Sequence, residues 1–412
     1  MNGTETVRLA VFALAYAGIS VGRLPGRRLS RPAVATAGAA AMILLGGLPL
    51  KDAVRAVDGA VLVLLLGFML VVAQLEDAGF FHWVARQVIH RATTPRRLLA
   101  AVVGISGLLS ALFVNDTVCL VLTPLLLAVV GPLGAPAVPY LIALATAANV
   151  GSVMTPMGNP QNMLVAVHGG FSFAAFVGRM APAGLGGLVI TYGLLLLIFR
   201  KQLARPFERV APPSGDPPDW KRATRVLTGL GVAIIAWLAG APPAGVAAAA
   251  GVLALVAAPR RAGNALRRTE WQLLLFFAAL FILVRGIEGT QLVADVMDAA
   301  RARLWHPGVV RTGAVAGVTL VLGNLVSNVP GVMMWLPIVP HLPDPTHLWL
   351  VIAMSATFAG NLLLVGSMAN LIVAERAAAR GITLPFLAYA RAGIPITFVT
   401  IAWGALALVL TR

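Results

Sequence analysis

Charge is what this 412-residue chain has least of. Only 11% of its residues are Asp, Glu, Lys or Arg, while 59% are hydrophobic; soluble domains carry about 25% charged residues. A water-soluble chain of this size has no way to hide so much apolar surface. A soluble globular domain is therefore excluded, and a lipid bilayer is the solvent. Acidic residues are scarcer still: 15 against 31 Lys and Arg, for a net charge of +16. In a soluble protein that balance would point to nucleic acid. Here the cations gather in short loops between apolar runs, so membrane orientation explains them and no nucleic-acid partner is expected. The single cysteine, Cys119, excludes an intrachain disulfide and reads as a small buried hydrophobe. The six histidines show no ligand spacing. No HExxH and no paired acids occur in the apolar runs, which leaves an intramembrane enzyme without machinery. The N-terminus also lacks a basic segment ahead of its first apolar run, so that run reads as a spanning helix rather than a cleaved signal.

What is present is a series of apolar runs near 7–22, 33–50, 59–75, 138–166 and 179–199, then 223–240, 244–258, 270–286, 346–373 and 393–410. Two further segments, 98–130 and 309–340, are broken midway by polar residues. The reading is an all-α polytopic membrane protein. It has about ten transmembrane helices plus two re-entrant hairpins, in two inverted five-helix repeats. With both termini outside and each broken segment entering and leaving on one face, the inside loops hold 22 of the 31 Lys and Arg. That is the expected positive-inside bias. The domains expected are 1–199 with an inward-entering hairpin 98–130, a cytoplasmic linker 200–222, and 223–412 with an outward-entering hairpin 309–340.

The halves align in outline. "FVNDTVCLVLTP" matches "LVSNVPGVMMWLP", placing Asn115 on Asn328 and Pro124 on Pro337. "MGNPQNMLVA" matches "VGSMANLIVA", placing Gly158 on Gly366 and Asn162 on Asn370. Arg179 and Arg391 each open the last span of a half. Five spans per half, an odd number, makes the halves oppositely oriented. Paired breaks in an inverted repeat are the best sequence pointer to a secondary-transporter site.

Each break carries helix-start chemistry. Ser327 or Asn328 can cap a helix with Pro330 in its first turn; Asn115, Asp116 or Thr117 can cap another. Asn159 can cap a third that starts at Pro160 after the break at Gly158, and Gly366 and Ser367 repeat that logic. Four half-helix N-termini result, whose free N–H groups favour anions, with oxygens beside them suited to Na⁺. Asp116 is the only acid well inside an apolar segment. At bilayer depth an ionised carboxylate costs about 3 kcal/mol or more. It is either a coupling-ion site or a permanent helix cap. Its repeat counterpart is Val329. Segments 287–305 and 78–92 read as amphipathic helices at the outer and inner interfaces.

At these residues the chain resembles the ion transporter superfamily, and more narrowly its citrate-transporter-like permeases, which include arsenite permeases and divalent anion:sodium symporters. "NDTVCLVLTP" resembles the arsenite-permease hairpin tip. "ATAANVGSVMTPMGNPQN" resembles the symporters' Ala-Asn-Ile-Gly…Gly-Thr-Pro-Pro-Asn stretch, and "SNVP" the second tip of both groups. The resemblance implies a scaffold domain and a transport domain, elevator-type alternating access and a homodimer. The dimer interface would lie on helices 33–75 and 223–258. Carried over by position, Asn115, Asp116, Thr117, Gly151, Gly158, Asn159 and Asn162 form one half-site. Ser327, Asn328, Gly366, Ser367 and Asn370 form the other. A Na⁺ would sit at Asn115, Asp116 and Asn328. The symporters' Ser-Asn-Thr tip is intact in neither repeat, and "GSMAN" lacks the Pro-Pro-Asn form.

The function expected is secondary active transport of a small anion or metalloid oxyacid across the inner membrane, coupled to H⁺ or Na⁺ and needing no other cofactor. A cation:proton antiporter on the same fold is the alternative. A channel and an intramembrane enzyme are more distant.

Overall fold

The computed structural model describes residues 3–21, 30–91, 94–204, 217–288 and 308–411, with a few isolated positions between them. Most of the expected outer amphipathic segment, 287–305, lies outside the described residues. Every regular element described is helical. The first half runs α1 (Gly3–Val21), α2 (Arg31–Leu44), α3 (Leu50–Ala56), α4 (Gly59–Asp77), α5 (Phe80–Arg91), α6 (Pro95–Leu112), α7 (Asn115–Val130), α8 (Ala137–Ser152), α9 (Pro160–His168) and α10 (Phe173–Ile198). The second runs α11 (Trp220–Leu238), α12 (Pro243–Ala257), α13 (Ala262–Arg268), α14 (Trp271–Ile287), α15 (Val309–Val326), α16 (Asn328–Met333), α17 (Pro345–Ala359), α18 (Met368–Ala378) and α19 (Phe386–Leu410).

Interfacial polar residues start many of these helices. Ser30, Asp58, Thr94, Ser172, Asp219 and Asp344 each accept a backbone N–H from the first turn of α2, α4, α6, α10, α11 and α17. Four helices, α4, α6, α10 and α19, are individually long and apolar enough to cross a membrane. The bent pair α13–α14, with 48° between its parts, makes a fifth. The other apolar runs are short or broken. The run 33–50 stops at Leu44, because Gly47 takes a left-handed φ of 62° and Pro49 follows. The runs 138–166 and 346–373 are each cut in two by a 3₁₀ turn, at Pro156–Gly158 and Leu364–Gly366.

The hairpins are unequal. The first has two full arms, α6 and α7, meeting at Phe113–Val114 and starting at 95 rather than 98. The second has a full arm, α15, and a six-residue return, α16. The return then loosens into turns as far as a 3₁₀ segment at Val339–His341. Pro337 and Pro340 lie in that stretch, where each removes a backbone donor.

Contacts fall into pairs related by exchange of the halves. α1 packs on α2 as α11 packs on α12, and α2 on α14 as α12 on α4. α6 packs on α8 as α15 on α17, and α8 on α18 as α17 on α9. The long helices α10 and α19 pack on each other. Small residues permit the closest crossings. A Cβ on Gly67 of α4 would overlap the Ala247 backbone of α12, and one on Gly151 of α8 would overlap the Gly107 backbone of α6. Gly67→Ala and Gly151→Ala should therefore each destabilise the detergent-purified protein by about 1–3 kcal/mol. Thermal unfolding should show a lowered midpoint for both. Gly231→Ala, where a Cβ meets nothing within 4 Å, should show none.

Candidate functional site

Broken helices expose backbone groups that water cannot reach at bilayer depth. Two asparagines solve this identically in the two halves. Asn162 Nδ2 donates to the carbonyls of Ser152 (3.0 Å) and Thr155 (3.0 Å). Asn370 Nδ2 donates to those of Gly360 (2.7 Å) and Leu363 (3.2 Å). Donor and acceptors match under one register, the same that places Gly158 on Gly366. Each side chain reaches back from the new helix to the end of the old one. Asn159 caps α9 through the N–H of Asn162 (2.8 Å), with Pro160 in its first turn. Ser367 caps α18 through the N–H of Ala369 (3.2 Å).

The hairpin tips depart from the capping expected of them. α7 follows Val114 with no side-chain cap, so neither Asn115, Asp116 nor Thr117 caps its own helix. Asn115 lies inside the first turn and its Nδ2 points away, to Asn149 Oδ1 (2.9 Å). The Asp116 carboxylate lies near the backbone N–H of Ala369, in the first turn of α18 in the other half, an N–H that Ser367 Oγ accepts. At the second tip Ser327 makes no cap bond and holds φ 79° and ψ 157°, a backbone region natural to glycine. Beside it Asn328, 9% exposed, has its Oδ1 buried without a partner, as has Asn324.

Asn149 joins these pieces. This buried α8 residue accepts from Asn115 Nδ2 and from Ser367 Oγ (3.1 Å), and donates to Asn361 Oδ1 (2.8 Å) and Asn370 Oδ1 (3.0 Å). One amide therefore ties the first hairpin tip to the broken α17–α18 pair. Thr357 links the halves a second time, receiving Asn159 Nδ2 (3.2 Å) and Gln161 Nε2 (3.4 Å).

Around this knot lies a cavity of about 100 Å³. Asn115 and Asp116, Pro160 and Gln161, Ser327 and Asn328, and Ser367 and Met368 line it, one pair from each half-helix start. The four N-termini thus converge from both halves of the chain. α2 and α14 close the other side with Arg31, Pro32, Leu273 and Phe276. A second cavity of about 60 Å³ shares Asp116 and adds Thr117, Glu76, Arg268 and Glu270. The remaining expected residues do not line the first cavity. Asn159, Asn162 and Asn370 are buried supports beneath it. Gly158 and Gly366 are packing positions where a Cβ would press on the Ser152 and Gly360 carbonyls. Gly151 is a helix-crossing glycine, not a ligand: its neighbour is the Gly107 backbone.

Residues that sequence reading passed over are Arg31, Asn149, Gln161, Thr357 and Asn361. Asn149 and Gln161 were visible as amides inside an apolar run, and Arg31 as a cation beside a capping Ser30. Thr357 and Asn361 gave no signal, because threonine and a lone amide are ordinary in spanning helices. Chemically, the cavity offers backbone donors at helix starts, the unpaired amide oxygen of Asn328 and one carboxylate. That set can hold an anion, and the oxygens can hold an alkali cation beside it.

If Asn149 is the tie between the halves, Asn149→Leu should cost about 3–5 kcal/mol. It removes four buried hydrogen bonds at about 1 kcal/mol each and leaves partners unsatisfied. Thermal unfolding should show the loss, and Asn361→Leu, which removes fewer bonds, should cost less.

The family model for citrate transporters matches residues 16–350. The chain is 31% identical to a 46 kDa membrane protein of Mycobacterium leprae, over 97% of this chain and 96% of that one. It is 30% identical to the silicon efflux transporter LSI3 of Oryza sativa subsp. japonica, over 97% of this chain and 96% of the other. The solved structure of the Alcanivorax borkumensis YdaH transporter superposes with a TM-score of 0.64, covering 99% of this chain and 98% of that one at 17% identity. That likeness concerns the fold.

Proposed function

Since the chain belongs to the citrate transporter family, we propose that it is a secondary active transporter for a small anion or metalloid oxyacid, driven by H⁺ or Na⁺. The observation that carries this is the single cavity at which helix starts from both halves meet beside one carboxylate. The name of the rice relative, a silicon efflux transporter, supports an oxyacid among the solutes. The protein catalyses no covalent chemistry in this reading; its work is binding and movement.

In the proposed cycle, residues 1–199 and 223–412 are the inverted repeats, joined by a cytoplasmic linker at 200–222. Helices α1, α2, α4, α11, α12 and α14 form the scaffold and the dimer interface. The hairpins and broken helices move as the transport unit. The protein resides in the inner membrane with both termini outside. Na⁺ is accommodated by the unpaired Asn328 Oδ1 together with Asn115 and Asp116, or Asp116 binds H⁺ instead. A cation:proton antiporter remains the second reading, because Asp116 is the one carboxylate of the cavity wall.

Proteoliposome flux under imposed H⁺ and Na⁺ gradients tests the function. Accumulation that follows one gradient and saturates with solute supports it; flux indifferent to both gradients refutes it and favours a channel. Asp116 can be tested in the same assay. Asp116→Asn keeps a side-chain oxygen at the same place but removes the charge. Gradient-driven accumulation should collapse, while solute exchange survives. Initial rates from about pH 5.5 to 8.5, a range reached when burial raises a carboxyl pKa, separate coupling from a structural role. Unchanged rates and an unchanged pH profile would leave Asp116 a structural residue and nothing more.

A further inference from the structure

Arg31 is the one cation in the wall of the candidate cavity. It occupies the first position of α2, directly after the capping Ser30. A cation there meets the positive end of the helix dipole, where acidic residues are favoured. The guanidinium is half-buried yet makes no hydrogen bond or ion pair with any described residue. Asp116 faces it electrostatically across the cavity without forming an ion pair. An arginine carries five donors in a planar fork suited to oxyanions. No described residue uses them, so they are available to an oxyanion in the cavity.

The rest of the wall has the same sign. The starts of α7, α9 and α18 meet there, with Asp116 the only carboxylate against them. Asn328, nine-tenths buried, brings an unpartnered Oδ1 to the same wall, an acceptor suited to a proton or cation accompanying an anion.

We propose that Arg31 is a specificity-determining residue. It ligates a carboxylate or other oxyanion group of the solute from the α2–α14 side, while the hairpin tips hold the solute from the other. The inference rests on the transporter reading and sharpens it: the preferred solute is the charged form of an oxyacid, not the neutral one. It also assigns recognition to a residue outside the two repeated motifs. Arg31 stands on the element that the proposed cycle keeps fixed. The charge contact is therefore made in one orientation of the transport unit and broken in the other.

Two readouts test this on the full-length protein. The first is thermal stabilisation of the detergent-purified protein by citrate, phosphate, acetate and uncharged arsenous acid. The second is flux of the same four solutes in proteoliposomes. For whichever anion stabilises the wild type, Arg31→Gln should raise the half-saturating concentration about 10- to 100-fold, the range for a lost charge-assisted bond. Arg31→Lys should recover part of it. KM for anion flux should rise by a similar factor with a smaller change in maximal rate, and arsenous acid should be handled as in the wild type. Equal losses for anions and arsenous acid would make Arg31 merely structural and overturn the inference. So would wild-type anion affinity in Arg31→Gln, or wild-type affinity restored by combining it with Asp116→Asn, which would make Arg31 only a counter-charge. If no anion stabilises the wild type, the inference also falls. Stabilisation without gradient-driven flux would instead defeat the transporter reading and leave the Arg31 site standing.

Discussion

The fold turns on one constraint: a polypeptide interrupted inside a bilayer must find its own partners for the freed backbone groups. Here asparagine supplies them. Asn162 and Asn370 each bridge the end of one half-helix to the start of the next with matching geometry. Asn149 then gathers the first hairpin tip and the second broken helix into one knot. An amide suits this because it donates and accepts at once, and it does so without a charge. Four bonds on a single buried side chain use its capacity fully. With the breaks satisfied from below, the helix starts above face the cavity.

The electrostatics follow from that arrangement. Each half-helix contributes partial positive charge at the cavity, and a site of that kind with no negative group would repel the cation of a coupled solute pair. Asp116 answers part of this field. It does so from the first half, beside the start of α18 in the second half. Arg31 at the start of α2 and Glu270 just before α14 approach the same carboxylate.

Much of this was legible in the chain. Scarcity of charge gave the solvent, and the order of matched fragments gave the repeat. The Asn–Pro and Gly–Ser pairs gave the starts of α9 and α18 to the residue. These are local signals, since a cap and the helix it begins are adjacent in sequence. What sequence did not disclose is tertiary. Asp116 looked like a cap for its own helix, and capping chemistry cannot say whose N–H a carboxylate meets. Gly151 looked like a ligand because it lies in a motif; its reason is the Gly107 backbone on a neighbouring helix. Arg31 was counted among orienting cations, and only the packing of α2 against α14 turns it toward the cavity. The second hairpin's short return arm was also hidden, because prolines at 337 and 340 permit a kinked helix as readily as a series of turns.

The departures from symmetry have a common direction. Asn115 Nδ2 is held by Asn149, whereas its counterpart Asn328 has a buried Oδ1 without a partner. Asp116 carries a carboxylate, whereas Val329 in the same place has none. The first tip has ordinary backbone, whereas Ser327 holds a glycine-like conformation. The second tip is thus the less satisfied side of the cavity: an unpaired buried acceptor and a serine in a glycine-like backbone stand together there, and both carry a free-energy cost that the first tip does not.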